Sequence, residues 1–321
     1  MEHLDIAIVG AGPTGLATAI EAHRRGLKYL VFDKGCITNS ILGFPAHMIF
    51  FTTPELLEIG GMPLVCEREK PSRNEALKYY RKVVQSVGIR VRQFEEVQKL
   101  EKKADDQFRV QTSAGEYETR RIVLATGYYD NPNKLGIPGE DLPHVSHYYT
   151  EPYSYFDRDV VIVGGRNSAA EAALDLFRGG ARVTLVHRGA EMGSTLKYWV
   201  RPDIENRFKA GEVKAFFNSM VKRITPSSVE IDQAGTPHRL NADRVFLLTG
   251  YHSSTKFFEQ LGVKWDTDTL RPQYNPETFE TNVPGVYLAG SIIGGRFNAE
   301  VFIENGRFHG ESVVKAIAAG G

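Results

Sequence analysis

Residues 5 to 15 read Asp5-Ile-Ala-Ile-Val-Gly10-Ala-Gly12-Pro-Thr-Gly15, and the fold class of the chain can be predicted from this pattern. The apolar, β-branched run before Gly10 is typical of a strand that is buried on both faces of a parallel sheet. Good helix formers follow from Gly15, with apolar residues three and four positions apart, until Gly26 ends the pattern. Residues 29–33, Tyr-Leu-Val-Phe-Asp, then predict a second strand. The stretch therefore predicts a βαβ unit whose first turn is rich in glycine.

The glycine spacing in this turn fits a loop that binds a dinucleotide. Gly10 allows the tight turn, Gly12 lets backbone amides approach a pyrophosphate, and Gly15 permits close packing of the helix on the strand. The helix N-terminus offers N–H groups and a partial positive charge to the phosphates. Asp33 lies 18 residues beyond Gly15 at the end of the second strand, where a carboxylate accepts hydrogen bonds from a ribose diol.

A second strand–turn–helix pattern begins 154 residues later, counted between the first glycines of the two loops. This loop reads Gly164-Gly-Arg166-Asn-Ser168-Ala169, so arginine replaces the middle glycine. The Cβ of Arg166 limits the approach of the backbone to a phosphate, although its guanidinium can contact a phosphate instead. His187 and Arg188 end the following strand, where basic residues suit the 2′-phosphate of NADP and a solvated strand end is the alternative. One loop for FAD and one for NADP is the simplest interpretation.

The remaining elements place the second unit inside the first. Residues 74–87 predict an amphipathic helix, and residues 89–124 predict strands of a small sheet. Residues 285–290 predict a strand, and a long helix from about Glu300 is expected to rejoin the first domain. We therefore predict an α/β fold with two Rossmann-like dinucleotide-binding domains. The FAD domain comprises residues 1–127 and 250–321, the proline-rich stretch 128–157 is a linker, and the inserted NADPH domain comprises residues 158–249.

The composition of the chain excludes several functional classes. Its 321 residues suffice for about two domains. The 39 Lys and Arg balance the 39 Asp and Glu, so nucleic acid is not an expected partner. Neither a membrane span nor a signal peptide is predicted, and two cysteines, Cys36 and Cys66, favour unpaired thiols in the cytoplasm. The nine histidines show no zinc-like spacing, so no metal site is predicted.

Motifs along essentially the whole chain resemble the flavoproteins that bind two dinucleotides, in the layout of low-molecular-weight thioredoxin reductases. The motifs are Gly10–Gly15, Ala125–Gly127, Gly164–Glu171, Thr249–Gly250 and Gly285–Ser291. That family normally ends the last motif with an aspartate that hydrogen-bonds the ribityl chain of the flavin, and Ser291 stands there in this sequence. Thioredoxin reductases also carry a Cys-x-x-Cys in the NADPH domain, which this chain lacks. Reduction of a protein disulfide of the thioredoxin type is therefore disfavoured.

Longer strings resemble the bacillithiol-disulfide reductases, also called YpdA-like oxidoreductases. They are Phe50–Gly60, Gly164–Ala169, Lys197–Asp203 and Phe302–Arg307. The resemblance implies NADPH as hydride donor, FAD as carrier, bacillithiol disulfide or a mixed disulfide of it as acceptor, and a homodimer. Many relatives have a cysteine in the first loop that is proposed to attack the substrate, and Thr14 occupies that position here. Thr14 is the candidate catalytic residue, although a hydroxyl is a far weaker nucleophile than a thiolate.

The layout also implies which residues bind each cofactor. On the flavin side these are Gly10, Gly12, Pro13, Thr14, Gly15, Asp33, Lys34, His47, Thr52, Thr126, Gly127, Gly290, Ser291 and Ile303. On the NADPH side they are Gly164, Gly165, Arg166, Asn167, Ser168, His187, Arg188 and Lys197. A surface position is the alternative for His47.

Three functions from different classes are open at this point. The first is NADPH-dependent reduction of a small-thiol disulfide, which the longer strings support and Thr14 weakens. The second is electron transfer from FAD to ferredoxin or flavodoxin, which needs no cysteine. The third is a flavin-binding redox sensor that acts through a partner. A flavin monooxygenase is a further enzymatic alternative that the strings disfavour.

Overall fold

The chain folds into two compact α/β units in a computed structural model that describes residues 2–104, 106–297 and 299–320. The first unit consists of Met1–Gly43, Met48–Asn131 and Tyr251–Gly321, and the second of Phe44–His47 and Pro132–Gly250. The sheet of the second unit that contains β8 is parallel, and that of the first unit combines parallel strands with an antiparallel β4-β5-β6 edge, so the predicted α/β class with two Rossmann-like units is confirmed. Residues 128–131 of the predicted linker lie in the first unit, and residues 132–157 lie in the second.

The elements in chain order start with β1 (Glu2–Val9), α1 (Pro13–Arg24), β2 (Tyr29–Phe32), α2 (Asn39–Leu42), α3 (Pro54–Leu57), α4 (Arg73–Val87), β3 (Val91–Arg92), β4 (Val97–Lys102), β5 (Phe108–Thr112), β6 (Glu116–Leu124) and β7 (Val145–Ser146). They continue with β8 (Asp159–Val163), α5 (Asn167–Arg178), β9 (Arg182–Val186), α6 (Arg201–Lys209), β10 (Lys214–Phe216), β11 (Ser219–Thr225), β12 (Ser228–Gln233), β13 (Thr236–Asn241) and β14 (Arg244–Leu247). The last elements are α7 (Lys256–Leu261), β15 (Val286–Leu288), α8 (Ile303–Gly306) and α9 (His309–Ala319), with 3-10 turns at Tyr153–Tyr155 and Gly290–Gly294.

The sheet of the first unit has the order β3-β2-β1-β6-β5-β4, and β15 also pairs with β6. β1 runs parallel to β2 and β6, which explains why Ile6 and Ile8 are fully buried. α9 packs closely on α1 at Gly310. A Cβ on this residue would lie 2.6 Å from the Thr18 nitrogen, so only glycine allows the contact. This arrangement brings the C-terminal helix to the helix that follows the first glycine loop.

The second unit contains a parallel sheet in the order β10-β9-β8-β14-β7 and an antiparallel sheet in the order β11-β12-β13. Buried Val160, Ile162 and Phe246 face α5, while Val161 and Val245 face the antiparallel sheet. Alternating side chains of β8 and β14 thus serve two cores, as expected for strands covered on both faces.

The predicted helix at 74–87 is confirmed, whereas the predicted long helix from about Glu300 is wrong. α4 begins at a capping box between Ser72 and Glu75. The C-terminal segment instead forms two helices, α8 and α9, that are separated at Arg307 and Phe308. A Cβ on Gly306, the last residue of α8, would lie 3.5 Å from the Gly290 Cα. Tertiary contact with the 290–294 turn therefore overrides helix propensity at this point.

Candidate active site

The first glycine loop can be built only with glycine at two of its three positions. Gly10 has a φ of +113°, and a Cβ there would lie 2.3 Å from the Ala125 carbonyl oxygen. A Cβ on Gly15 would lie 1.9 Å from the Gly10 carbonyl oxygen. These two glycines therefore hold the turn tightly against the end of β6 and the start of α1.

Gly12 differs, because its Cβ position is open. Its φ of −70° and ψ of 174° suit any residue, and nothing lies within 4 Å of an ideal Cβ. α1 starts at this point with no side-chain cap and no acidic residue in its first turn. Its first N–H groups therefore face space that a pyrophosphate can enter. The loop fits the pyrophosphate of FAD.

Asp33 connects the end of β2 to this loop. Its Oδ2 accepts the Ala11 N–H at 2.7 Å, and its Oδ1 accepts the Gly35 N–H at 2.8 Å. Burial raises the pKa of the Asp33 carboxyl, and the two N–H donors oppose this shift. Each oxygen has a second lone pair, so Asp33 can hold the loop and still accept hydrogen bonds from ribose hydroxyls. Lys34 pairs with Asp130 at 3.2 Å.

Three distant segments meet beside the first loop. A Cβ on Gly290 would lie 2.9 Å from Thr14 Oγ1, and a Cβ on Gly306 would lie 3.2 Å from the same oxygen. A Cβ on Gly127 would lie 3.6 Å from Ser291 Oγ. The structure thus brings together the predicted residues Thr14, Gly127, Gly290 and Ser291. Among the other residues predicted for the flavin side, Thr52 is buried, Thr126 is half-buried and Ile303 begins α8.

His309 belongs to this cluster and is not among the predicted residues. Its Nδ1 accepts the Gly290 N–H at 3.1 Å, which places the ring proton on Nε2. The ring stacks on Phe279 with centroids 4.3 Å apart. Burial lowers the pKa of His309 to about 4, so the imidazole is neutral at pH 7. No sequence pattern distinguishes this histidine from the others, because its contacts depend on the docking of α9.

The depressed pKa of His309 predicts a stability loss in acid. The unfolded chain protonates this imidazole near pH 6.5 and the folded chain only near pH 4, so stability falls as the pH decreases between these values. The expected loss is about 2 kcal/mol between pH 7 and pH 5. Urea unfolding at both pH values measures it. His309→Gln, which keeps an acceptor and cannot titrate, should lack this part of the pH dependence, and an unchanged dependence would refute the assignment.

The second glycine loop follows β8 and is also tightly packed. A Cβ on Gly164 would lie 2.6 Å from the Leu248 carbonyl oxygen, and a Cβ on Gly165 would lie 2.2 Å from the His187 ring. α5 begins after exposed Arg166 with no side-chain cap and no acidic residue in its first turn. Its N–H groups, including that of exposed Ser168, suit a second pyrophosphate.

The two basic residues that end β9 have different environments. The imidazole of His187 packs against Gly165 and Gly189, and burial together with nearby Arg188 lowers its pKa. Arg188 is exposed. Arg188 is therefore the residue of the pair that can bind a 2′-phosphate, while His187 packs against the glycines of the loop.

Lys197 is held against the first turns of α5. Its backbone N–H donates to Asn167 Oδ1 at 2.9 Å, and its Nζ pairs with Glu171 at 2.6 Å. Asn167 Nδ2 also donates to the Thr195 carbonyl at 3.2 Å. Asn167 thus anchors the segment around Lys197 to the second loop, and Glu171 already neutralises the Lys197 charge.

The remaining predicted features lie outside these two loops. His47 belongs to the second unit, where its Nε2 lies 3.3 Å from the Tyr153 hydroxyl. Cys36 and Cys66 are free thiols of the first unit. Among residues 2–104, 106–297 and 299–320, no group of three His, Cys, Asp or Glu side chains is arranged to hold a metal ion. No helix in that part of the chain is long and apolar enough to cross a membrane.

Comparison with known proteins identifies the family. A model of the pyridine nucleotide-disulphide oxidoreductases matches residues 7–290. The chain belongs to this family. It is 45% identical over 313 residues to the bacilliredoxin reductase Bdr of Bacillus subtilis (strain 168). The aligned region covers 97% of this chain and 96% of that relative.

A solved structure and a more distant relative extend the comparison. The bacillithiol disulfide reductase Bdr (YpdA) from Bacillus cereus is 42% identical over the full length of both chains, with a TM-score of 0.97. A ferredoxin–NADP reductase of Ignicoccus hospitalis is 27% identical, with 90% of each chain covered. The predicted resemblance to the YpdA-like reductases is confirmed. FAD and NADPH are the cofactors, and the chain is a flavoprotein oxidoreductase of the disulfide-reductase type.

Proposed function

We propose that this enzyme passes electrons from NADPH through FAD to bacillithiol disulfide or a mixed disulfide of bacillithiol. The observation that carries the proposal is the pair of glycine loops, each at an uncapped helix N-terminus. The carboxylate of Asp33 binds the first loop, and exposed Arg188 follows His187, whose ring packs on the second loop. An acid favours the ribose diol of FAD, and a base favours the 2′-phosphate of NADPH. The acceptor is taken from the name of the similar Bacillus cereus structure, a bacillithiol disulfide reductase.

Each group in the two loops has a defined binding role in this proposal. When bound, FAD accepts a hydride from NADPH and passes two electrons to the acceptor. The first N–H groups of α1 bind the FAD pyrophosphate, and Asp33 orients its ribose. The first N–H groups of α5 bind the NADPH pyrophosphate, and Arg188 binds the 2′-phosphate. We assign FAD to the first unit and NADPH to the second on this basis.

We infer that no side chain of this enzyme forms a covalent bond with the disulfide. Thr14 Oγ1 makes no hydrogen bond within the described residues, so no base activates it there. Burial raises the pKa of the Cys36 thiol, and the pKa of the Cys66 thiol is raised as well. Both thiols are therefore mostly protonated at pH 7, and only the thiolate is a good nucleophile.

Removing both cysteines should leave disulfide reduction intact. We expect Cys36→Ser/Cys66→Ser to retain kcat and kcat/KM for bacillithiol disulfide within about twofold of the parent enzyme. Steady-state NADPH oxidation measures both parameters. A loss of 100-fold or so, with flavin content unchanged, would show that one of these thiols attacks the substrate.

The acceptor is tested by a parallel assay of NADPH oxidation. The enzyme is given bacillithiol disulfide, oxidised ferredoxin or oxidised flavodoxin at equal concentrations. Turnover with the disulfide alone supports the proposal. Turnover with a protein carrier alone would favour the second candidate, electron transfer, which the likeness to a ferredoxin–NADP reductase supports. Slow oxidation with all three would favour a flavin-binding sensor.

A homodimer in the cytoplasm completes the proposal. The family resemblance supports both features, and the two free cysteines fit a reducing compartment. Sedimentation equilibrium tests the first feature, because a dimer has twice the chain mass of 35.8 kDa.

A further inference from the structure

A cavity of about 430 Å³ lies in the second unit, at the edge of the parallel sheet where β7, β14 and β8 begin. His144 immediately precedes β7, Arg244 is the first residue of β14, and Arg158 immediately precedes β8. All three side chains line the cavity. Sequence positions 144, 158 and 244 become neighbours only through the parallel pairing of these strands.

The strand register places the three basic side chains on one face. Val145 pairs with Val245, so His144 lies beside Arg244. Arg244 pairs with Val160, so these two side chains lie on the same face of the sheet. Arg158 is two residues before Val160 and therefore projects to that face as well. Neighbouring strands lie about 4.8 Å apart, so these residues form a basic row about 10 Å long.

The two arginines of this row form no ion pair in the described part of the chain. Within residues 2–104, 106–297 and 299–320, neither Arg158 nor Arg244 has a carboxylate within 4.0 Å. His144 Nε2 and Arg244 Nε are buried without a hydrogen-bond partner. Asp243 also lines the cavity, but its Oδ2 accepts the Asp159 N–H at 2.8 Å. Arg244 Nη1 donates to the Pro143 carbonyl at 3.2 Å, so its other Nη is the end of this guanidinium without a partner among the described residues. Two arginines without ion pairs and one carboxylate thus line the cavity, which gives the lining a net positive charge that suits an anion.

The cavity also offers an apolar wall. Pro143 and Tyr155 line it, and the Tyr155 ring packs edge-on to Phe246 with centroids 5.5 Å apart. The Arg244 guanidinium lies over the same Phe246 ring, 5.2 Å from its centroid, which fixes the direction of its donors. A flat group of a ligand can therefore pack against this wall while its anionic group meets the arginines.

We infer that this cavity binds a small organic anion that carries a phosphate or carboxylate beside a planar apolar group. The site is separate from the proposed NADPH loop, because Gly164 follows β8 at its other end. Six residues of extended chain separate Arg158 from Gly164, which corresponds to about 20 Å. The inference does not depend on the identity of the electron acceptor.

The test uses the FAD-loaded enzyme saturated with NADP⁺, so that both dinucleotide sites are filled. Titrations of phenyl phosphate, benzoate and inorganic phosphate are followed by saturation-transfer or ³¹P NMR. We expect saturable binding of phenyl phosphate or benzoate, with the stronger of the two identifying the anionic group. Inorganic phosphate should bind about tenfold more weakly than phenyl phosphate, since it cannot contact the Tyr155 wall.

Matched variants locate the binding. Arg158→Gln/Arg244→Gln should weaken binding by about tenfold or more, because it removes both charge-assisted donors. Arg158→Lys/Arg244→Lys should stay within about threefold of the parent, as should Arg223→Gln, which removes an exposed charge from the same unit. Absence of saturable binding, or equal binding by the double glutamine variant and the parent, would overturn the inference. Loss of binding only when NADP⁺ is added would also overturn it, because the ligand would then occupy the dinucleotide site.

Discussion

Gly12→Val is expected to abolish FAD binding while leaving the chain folded. The Cβ position of Gly12 faces open space and its backbone angles suit any residue, so the Cβ of valine meets no protein atom within 4 Å. The same space receives the pyrophosphate in our account, and two added methyl groups would occupy it. We expect FAD affinity to fall on the order of 100-fold or more, and the free energy of unfolding of the flavin-free protein to change by about 1 kcal/mol or less.

Fluorescence titration of the flavin-free protein measures the affinity, and urea unfolding measures the stability. Gly115→Val is the matched control, because Gly115 also has an open Cβ position and a φ outside the left-handed region. It lies between β5 and β6, away from the loop, and should bind FAD normally. A Gly12→Val protein that is purified with stoichiometric FAD would refute the assignment of the first loop.

Arg188→Ser is expected to remove the preference for NADPH over NADH. Arg188 is exposed at the end of β9, while the neighbouring His187 ring is packed against Gly165. The charge-assisted hydrogen bonds from Arg188 to the 2′-phosphate are therefore lost without a substitute. We expect kcat/KM for NADPH to fall about 30- to 100-fold and that for NADH to change by less than about threefold.

Steady-state assays with both nucleotides measure this change in preference. Arg223→Ser, an exposed arginine on β11 of the same unit, is the control for a general loss of positive charge. An equal fall with both nucleotides would mean that Arg188 acts on folding or on the shared part of the dinucleotide. An unchanged preference would mean that another residue binds the 2′-phosphate.

Local sequence patterns predict the elements around each loop because the physical requirements there are local. Gly10 needs a left-handed backbone, and a β-branched run before it needs burial on both faces. The same holds for α4, where Ser72, Glu75 and Gly88 mark both ends of the helix within the sequence itself.

Features that arise from tertiary contact are not predictable in this way. His309 meets Gly290 only after α9 docks on α1, and α8 ends where Gly306 meets the 290–294 turn. The segment Phe44–His47 joins the second unit through the Ala46 N–H, which donates to the Thr150 carbonyl over 104 residues of sequence. The basic row of His144, Arg158 and Arg244 likewise requires the strand order β7-β14-β8, which no periodicity encodes.

The residues that we propose for cofactor binding fall between these two cases. The loop residues and Asp33 are where the spacing predicts them, and Thr14, Gly290 and Ser291 are brought to one place by the return of β15 to β6. The different environments of His187 and Arg188 are visible only in the structure, since the two residues are adjacent in sequence and both basic. Lys197 pairs with Glu171 of α5 only because the segment that follows β9 folds back onto that helix, so the pair could not be predicted from the sequence.

Anaerobic stopped-flow spectroscopy tests the central claim most directly. The oxidised enzyme is mixed with NADPH or NADH, and the visible flavin band is followed before the reduced enzyme is mixed with bacillithiol disulfide. We expect fast loss of the band with NADPH, much slower loss with NADH, and full recovery on addition of the disulfide. Loss of the band with NADPH without recovery on addition of bacillithiol disulfide would contradict the proposed acceptor, and no loss of the band at all would contradict the whole electron path.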